Sequence, residues 1–88
     1  KADFLLTVAP AVYRFDPTQI EIPRCKWLLI HGEADQIVDC EKTVNWTKQL
    51  AIKPEIVVVP GADHFFHGRL TDLRDTMTEQ MHVMGINP

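Results

Sequence analysis

The chain has 88 residues, 45% hydrophobic and 24% charged, so it holds one hydrophobic core at most and is too apolar for a disordered tail. Nine Lys and Arg against twelve Asp and Glu give a net charge of −3, and the basic residues are scattered, which argues against a nucleic-acid partner. No apolar run approaches the ~18 residues that span a bilayer, and no signal peptide is recognisable. We therefore expect a cytoplasmic protein with no membrane partner.

Three short apolar runs have no polar alternation, a pattern typical of strands buried on both faces. They are residues 4–8, 27–30 and 56–59. Each is followed by Pro or Gly, which opens a loop. Residues 11–26, between the first two runs, carry Pro17 and Pro23 and little helical pattern, so we expect an extended crossover with at most one short turn.

Helical patterns follow the second and third runs. Asp39 is placed to cap the first helix, and Pro54 ends it. The residues that recur at helical spacing in this helix are Cys40, Val44, Thr47 and Ala51. Trp46 lies off that stripe, so we expect it to cover a surface that another part of the protein buries.

A second helical stripe precedes Gly85 and is interpreted as core packing. Its members are Leu70, Leu73, Met77, Met81 and Met84. Polar residues, among them Asp72 and Glu79, fall off the stripe, as in a helix that covers one face of a sheet.

This order of elements predicts an α/β fold with about three parallel strands and two helices, a partial three-layer α/β/α arrangement. Such a sheet leaves one edge and one face uncovered. The sequence also begins at Lys1 and contains no serine. We therefore expect residues 1–88 to be a fragment of a single larger domain, with a homo-oligomer formed through the exposed sheet edge as the alternative.

Polar residues follow the second and third strands at the same distance. Asp35 lies five residues after Ile30, and His64 lies five residues after Val59. If these strands are parallel neighbours about 4.8 Å apart, both side chains stand over one carboxyl edge, where open α/β sheets bind ligands. A carboxylate beside an imidazole fixes the ring's tautomer and stabilises the imidazolium. Asp35 and His64 are thus predicted to be an acid and general-base pair.

The sequence WLLIHGEADQIV at residues 27–38 resembles the acid loop of α/β-hydrolases, in which a strand leads to Gly-x-x-Asp-x-x-Val. The sequence VPGADHFF at residues 59–66 is similar to their histidine loop, and most to the small lidless esterase-like branch near the dienelactone hydrolases. In that fold the nucleophile comes first, then the acid, then the histidine. The resemblance implies the C-terminal portion of an α/β-hydrolase, with Asp35 as the triad acid and His64 as the triad histidine.

The same resemblance implies a serine-type enzyme that hydrolyses a small-molecule carboxylic ester by acyl transfer and needs no cofactor. The nucleophile and the oxyanion donors would lie outside this chain, because the sequence has no serine. The isolated chain is accordingly expected to be inactive.

Other acids near the same edge are alternatives to Asp35. Asp39 is better placed as a helix cap, and Glu33 lies too early to face the next strand. Asp63, beside the histidine, is expected to bind loop backbone.

Histidines and cysteines offer two further alternatives. A metal site could combine His64, His67 and His31 with Asp35 or Asp63. The His-x-x-His spacing of His64 and His67 recurs by chance, however, and we expect His67 at the start of the last helix instead. Cys25 and Cys40 follow no strand, so we interpret them as packing residues of a reducing compartment rather than nucleophiles. Phe65 and Phe66 are expected to pack behind His64, with one of them lining a small acyl pocket.

A second functional class also fits the sequence, namely a non-catalytic α/β module for structure or interaction. The absent serine and the incomplete sheet favour it, and Asp35 and His64 would then only satisfy local hydrogen bonds. A cut piece of a larger domain should associate or be partly molten, whereas a module should be a cooperative monomer.

Overall fold

The computed structural model describes residues 4–11, 16, 18 and 25–85. In this part of the chain the elements are β1 (Phe4–Val8), β2 (Lys26–Gly32), α1 (Cys40–Thr47), β3 (Glu55–Val59) and α2 (Leu70–Val83). The strands form one parallel sheet in the order β1-β2-β3. The predicted α/β fold with three parallel strands and two helices is confirmed, while most of the predicted crossover lies outside the described residues.

The central strand β2 is buried on both faces, as its unbroken apolar sequence predicts. Because side chains alternate along a strand, Leu28 and Ile30 lie on one face and Leu29 on the other, and all three are fully buried. The first face is covered by α2 through Leu73 and Met77. The opposite face is covered by α1 and the turn after it, which contribute Trp46 and Leu50.

Helix α1 begins where its cap was predicted and ends earlier than expected. The carboxylate of Asp39 accepts a hydrogen bond from the backbone N–H of Lys42, the standard N-cap contact. The helix stops at Thr47 because the next turn tightens to i→i−3 hydrogen bonds, from Gln49 N–H to the Trp46 carbonyl and from Leu50 N–H to the Thr47 carbonyl.

The prediction that Trp46 covers an outer surface was wrong. Its side chain is buried and packs in the cluster that contains Trp27 and Leu29. The buried face of α1 consists of Thr43, Trp46 and Thr47, rotated from the predicted stripe, and Ala51 is exposed. The large indole decides which face turns inward, since it buries more apolar area than Cys40 and Val44 can.

Helix α2 follows the predicted stripe at Leu73, Met77 and Met84, which pack against the core. The prediction was wrong for Leu70, which is exposed in the first turn of the helix. The helix closes at Gly85, whose φ of +77° is left-handed, and the Lys26 ammonium donates to the Met84 carbonyl there. His67 precedes the helix by a turn, so its predicted place at the helix start was wrong. Within the described residues, neither helix is both long and apolar enough to cross a membrane.

Candidate active site

Two loops leave the carboxyl edge of the sheet side by side. The β2–β3 pairing ends with Gly32 opposite Val59, but its hydrogen bonds continue into the loops. Glu33 N–H donates to the Val59 carbonyl at 3.0 Å, and Ala34 N–H donates to the Ala62 carbonyl at 3.0 Å. These bonds hold the segment leading to residue 35 against the segment leading to residue 64.

The loops bring Asp35 and His64 together, as predicted, but the predicted equal offsets were wrong: with Gly32 opposite Val59, Asp35 lies three residues and His64 five residues beyond the last strand pair. Asp35 Oδ2 lies 2.8 Å from His64 Nδ1. The carboxylate is fully buried, whereas the His64 side chain is 24% exposed. A carboxylate accepts, so Nδ1 carries the ring hydrogen, and Nε2 keeps a lone pair that can take up a proton. The geometry is that of an oriented general base.

The Asp35 carboxylate is held from both sides. Its Oδ1 atom accepts hydrogen bonds from Ile37 N–H at 2.8 Å and from Val38 N–H at 2.7 Å. Burial by itself raises the pKa of Asp35, but the hydrogen bonds from Val38, His64 and Ile37 outweigh it and leave the pKa below its ordinary value. Asp35 is therefore a permanent negative charge at neutral pH.

This lowered pKa predicts a pH-dependent stability. A carboxyl group whose pKa is lower in the folded protein stabilises folding above its unfolded pKa of about 3.9, and the stabilisation is lost as the pH falls through the folded pKa. We expect the free energy of unfolding to fall on acidification from about pH 5 to about pH 2, and to fall less in Asp35→Asn. Urea unfolding at a series of pH values measures both slopes.

Asp63→Asn is the control for that titration, because the pKa of Asp63 is also lowered, chiefly by the His67 N–H, but its carboxylate is solvent-exposed and screened. Equal slopes for the Asp35→Asn variant and the unmodified protein would contradict the assignment.

The rival acids are engaged elsewhere. Glu33 Oε1 accepts from Gly61 N–H at 3.3 Å, and Asp39 caps α1. Asp63 binds loop backbone, as predicted, by accepting from His67 N–H at 2.8 Å. Its second oxygen lies 2.6 Å from His67 Nδ1, so an exposed Asp–His pair stands next to the buried one.

His31 was expected only as a candidate metal ligand, and its contacts with the acid loop were not predicted. His31 is fully buried near the end of β2, with Nε2 2.7 Å from the Val38 carbonyl and 3.2 Å from Asp35 Oδ2. A polar residue at the end of the apolar run in β2, four positions before the acid, was the available signal. The described ranges contain no group of three or more His, Cys, Asp or Glu residues arranged to hold a metal ion.

An open pocket of about 200 Å³ adjoins His64. It is lined by Gln36, Ile37, Asp63, His64 and Phe65. The Phe65 ring meets the His64 ring edge to face at a centroid distance of 5.0 Å and is 61% exposed. Phe66 instead is buried in the core, with a left-handed φ of +53° that turns the two neighbouring rings in opposite directions.

The cysteines are unsuited to attack from this site. Both are unpaired, Cys25 precedes β2 and Cys40 opens α1. Burial, followed by the charges of Asp39 and Glu33, raises the pKa of the Cys40 thiol, which disfavours the nucleophilic thiolate.

The chain is similar to two solved structures described as α/β serine hydrolases or their homologues. A lidless α/β serine hydrolase from Xanthomonas campestris is 33% identical, with a TM-score of 0.82 over 98% of this chain and 39% of its own. An α/β serine hydrolase homologue from Coxiella burnetii is also 33% identical, with a TM-score of 0.82 over 90% of this chain and 38% of its own. A protein of unknown function from Agrobacterium tumefaciens, 21% identical with a TM-score of 0.70, shows the fold alone.

No family model and no curated protein matches the chain. The chain spans about two fifths of the length of the hydrolases it matches, since it covers 39% and 38% of the first two. Its similarity extends over nearly all of its own residues and includes the sheet that carries Asp35 and His64. The described chain therefore has the fold of part of an α/β serine hydrolase.

Proposed function

We propose that this chain supplies the acid and the histidine of a serine-type hydrolase that cleaves carboxylic esters by acyl transfer. The observation that carries the proposal is the 2.8 Å contact between the buried Asp35 carboxylate and Nδ1 of a partly exposed His64. Asp35 fixes the ring so that Nε2 is the basic nitrogen, and it stabilises the imidazolium that forms during the reaction. The nucleophilic hydroxyl comes from residues outside these 88.

Each proton has a defined path in this reaction. The nucleophile's oxygen attacks the ester carbonyl while His64 Nε2 takes its proton, and the resulting tetrahedral adduct collapses as the bond to the alcohol breaks. His64 returns the proton to the departing alkoxide. A water molecule then attacks the acyl-enzyme while His64 takes its proton, and His64 returns that proton to the nucleophile's oxygen as the acyl bond breaks and the carboxylic acid is released.

The pocket beside His64 suits a small, apolar group next to the scissile bond. Ile37 and Phe65 are 55% and 61% exposed and form apolar walls, with Gln36 as a polar neighbour. Ile37 is fixed in place because its backbone N–H is bound to Asp35 Oδ1. These apolar walls support a small acyl ester as the substrate.

The test is hydrolysis of p-nitrophenyl esters of increasing acyl length by the full-length protein. We expect the acetate to be cleaved, and His64→Ala to lower kcat at least about 10³-fold because the general base is removed. His67→Ala is the matched control, since it removes the histidine of the exposed Asp63 pair, and it should leave kcat within about twofold.

Turnover that survives His64→Ala, or equal losses in the two variants, would contradict the assignment of the base. A full-length protein that cleaves no ester would instead support the non-catalytic module.

A further inference from the structure

His31 is a polar residue in the fully buried part of β2, next to Ile30. Its side chain has no exposure, and its Nε2 atom faces two acceptors, the Val38 carbonyl at 2.7 Å and Asp35 Oδ2 at 3.2 Å. Because both neighbours are acceptors, Nε2 carries the ring hydrogen and donates it to Val38. No polar group of the described residues contacts Nδ1. Packing alone does not explain an imidazole here, since an apolar side chain would avoid burying that nitrogen.

The contacts of His31 close a ring around the acid loop. Val38 N–H donates to Asp35 Oδ1 at 2.7 Å, and the carbonyl of the same Val38 accepts from His31. The hydrogen bond from His31 therefore ties the far end of the acid loop to β2. Its positively polarised N–H group also lies beside Oδ2, the oxygen that binds His64 Nδ1.

We propose that His31 is a positioning residue for the acid of the pair: by binding the Val38 carbonyl and lying against Asp35 Oδ2, it fixes the oxygen that orients His64. The role in catalysis rests on the proposed hydrolase function, whereas the positioning of Asp35 does not. Removing the donor leaves the buried Val38 carbonyl without its hydrogen bond, lets the loop from residue 35 to residue 38 move, and misplaces Oδ2 relative to His64.

The test compares His31→Gln with His31→Asn in the full-length protein. The two side chains carry the same amide, but the Gln amide reaches the position of Nε2 while the Asn amide is one methylene shorter. The first readout is the His64 Nδ1–H resonance in ¹H–¹⁵N NMR spectra, which requires no turnover. We expect it to persist in His31→Gln, and to be lost to exchange or shifted upfield in His31→Asn.

The second readout is ester hydrolysis. His31→Asn should lower kcat about 10- to 100-fold with KM within about twofold, and His31→Gln should recover most of that loss. In an Asp35→Asn background, His31→Asn should lower kcat no further, because its effect passes through the carboxylate.

The outcomes separate the two proposals. If the His64 resonance differs between the Gln and Asn variants but no ester is cleaved, the hydrolase function fails and the positioning role stands. If the two variants behave alike in the NMR spectra, including the case in which both fail to fold, His31 serves only packing and the positioning role is overturned, whatever the esterase result.

Discussion

Asp35→Asn is expected to lower kcat for ester hydrolysis about 10⁴-fold while KM stays within about twofold. In the unmodified protein Oδ1 accepts from the N–H groups of Ile37 and Val38, so the oxygen of an Asn side chain is held at that position. Its NH₂ group then faces His64 Nδ1, and a donor meets a donor. The imidazole responds by moving its hydrogen to Nε2, which removes the basic nitrogen from the substrate side.

The ring nitrogens of His64 report this change directly, since ¹⁵N shifts distinguish the two tautomers. Asp63→Asn is the matched control, because it alters the neighbouring Asp–His pair but not the contact between Asp35 and His64, so the His64 tautomer should be unchanged. If Asp35→Asn retained a kcat within about tenfold of the unmodified protein, the acid of the catalytic pair would have to be another residue.

Among substitutions near the site that add only one methyl group, Gly32→Ala is expected to be the most disruptive. A Cβ atom at Gly32 would lie 2.3 Å from the Ala62 carbonyl oxygen and 2.9 Å from the Asp63 carbonyl oxygen. These are backbone atoms of the histidine loop, so the loop must move away from β2. We expect a loss of about 1–3 kcal/mol in the free energy of unfolding and about a 100-fold loss in kcat, because His64 moves from Asp35.

Gly68→Ala is the control, because it measures the cost of replacing a glycine where no neighbouring backbone lies close. Gly68 has a left-handed φ of +68°, but a Cβ there would meet nothing within 4 Å. It should cost about 1 kcal/mol of backbone strain and leave kcat nearly unchanged. The measurements are kcat and urea unfolding curves for both variants. If the two substitutions change kcat equally, the close approach of the loops at Gly32 is unimportant.

The parts of the fold that the sequence predicts are those set by local pattern. Unbroken apolar runs identified all three strands, but of the three only β2 is buried on both faces, so the predicted burial of β1 and β3 was wrong. Placing Asp35 and His64 in loops after two parallel neighbours was sufficient to bring that pair to one edge, although the true register pairs Val59 with Gly32 rather than with Ile30. Adjacent parallel strands bring their carboxyl ends to the same edge of the sheet, so the local pattern predicted that edge but not the register of the pairing.

The parts that escaped prediction depend on packing and on how a loop returns to the sheet. The position of Trp46 was predicted wrongly because the spacing of apolar residues takes no account of side-chain size. In the structure the large indole is buried in the cluster around Trp27. The role of His31 could not be seen because its partner is the Val38 carbonyl, a backbone group whose direction depends on the three-dimensional path of the acid loop. The sequence also does not show which of the two Phe rings turns inward, because this depends on the left-handed backbone of Phe66.

The hydrogen bonds that extend the β2–β3 ladder into the loops constrain chain length rather than chemistry. Glu33 and Ala34 extend the ladder through their backbone atoms, so the ladder does not depend on their side chains, although the Glu33 carboxylate also accepts from Gly61 N–H. An added or deleted residue would shift the partner of every N–H that follows. Insertions and deletions should therefore be excluded from the short stretches between Gly32 and Asp35 and between Val59 and His64. The segment from α1 to β3 reaches the sheet at its opposite, amino edge. It has no such constraint and can vary in length without disturbing Asp35 and His64.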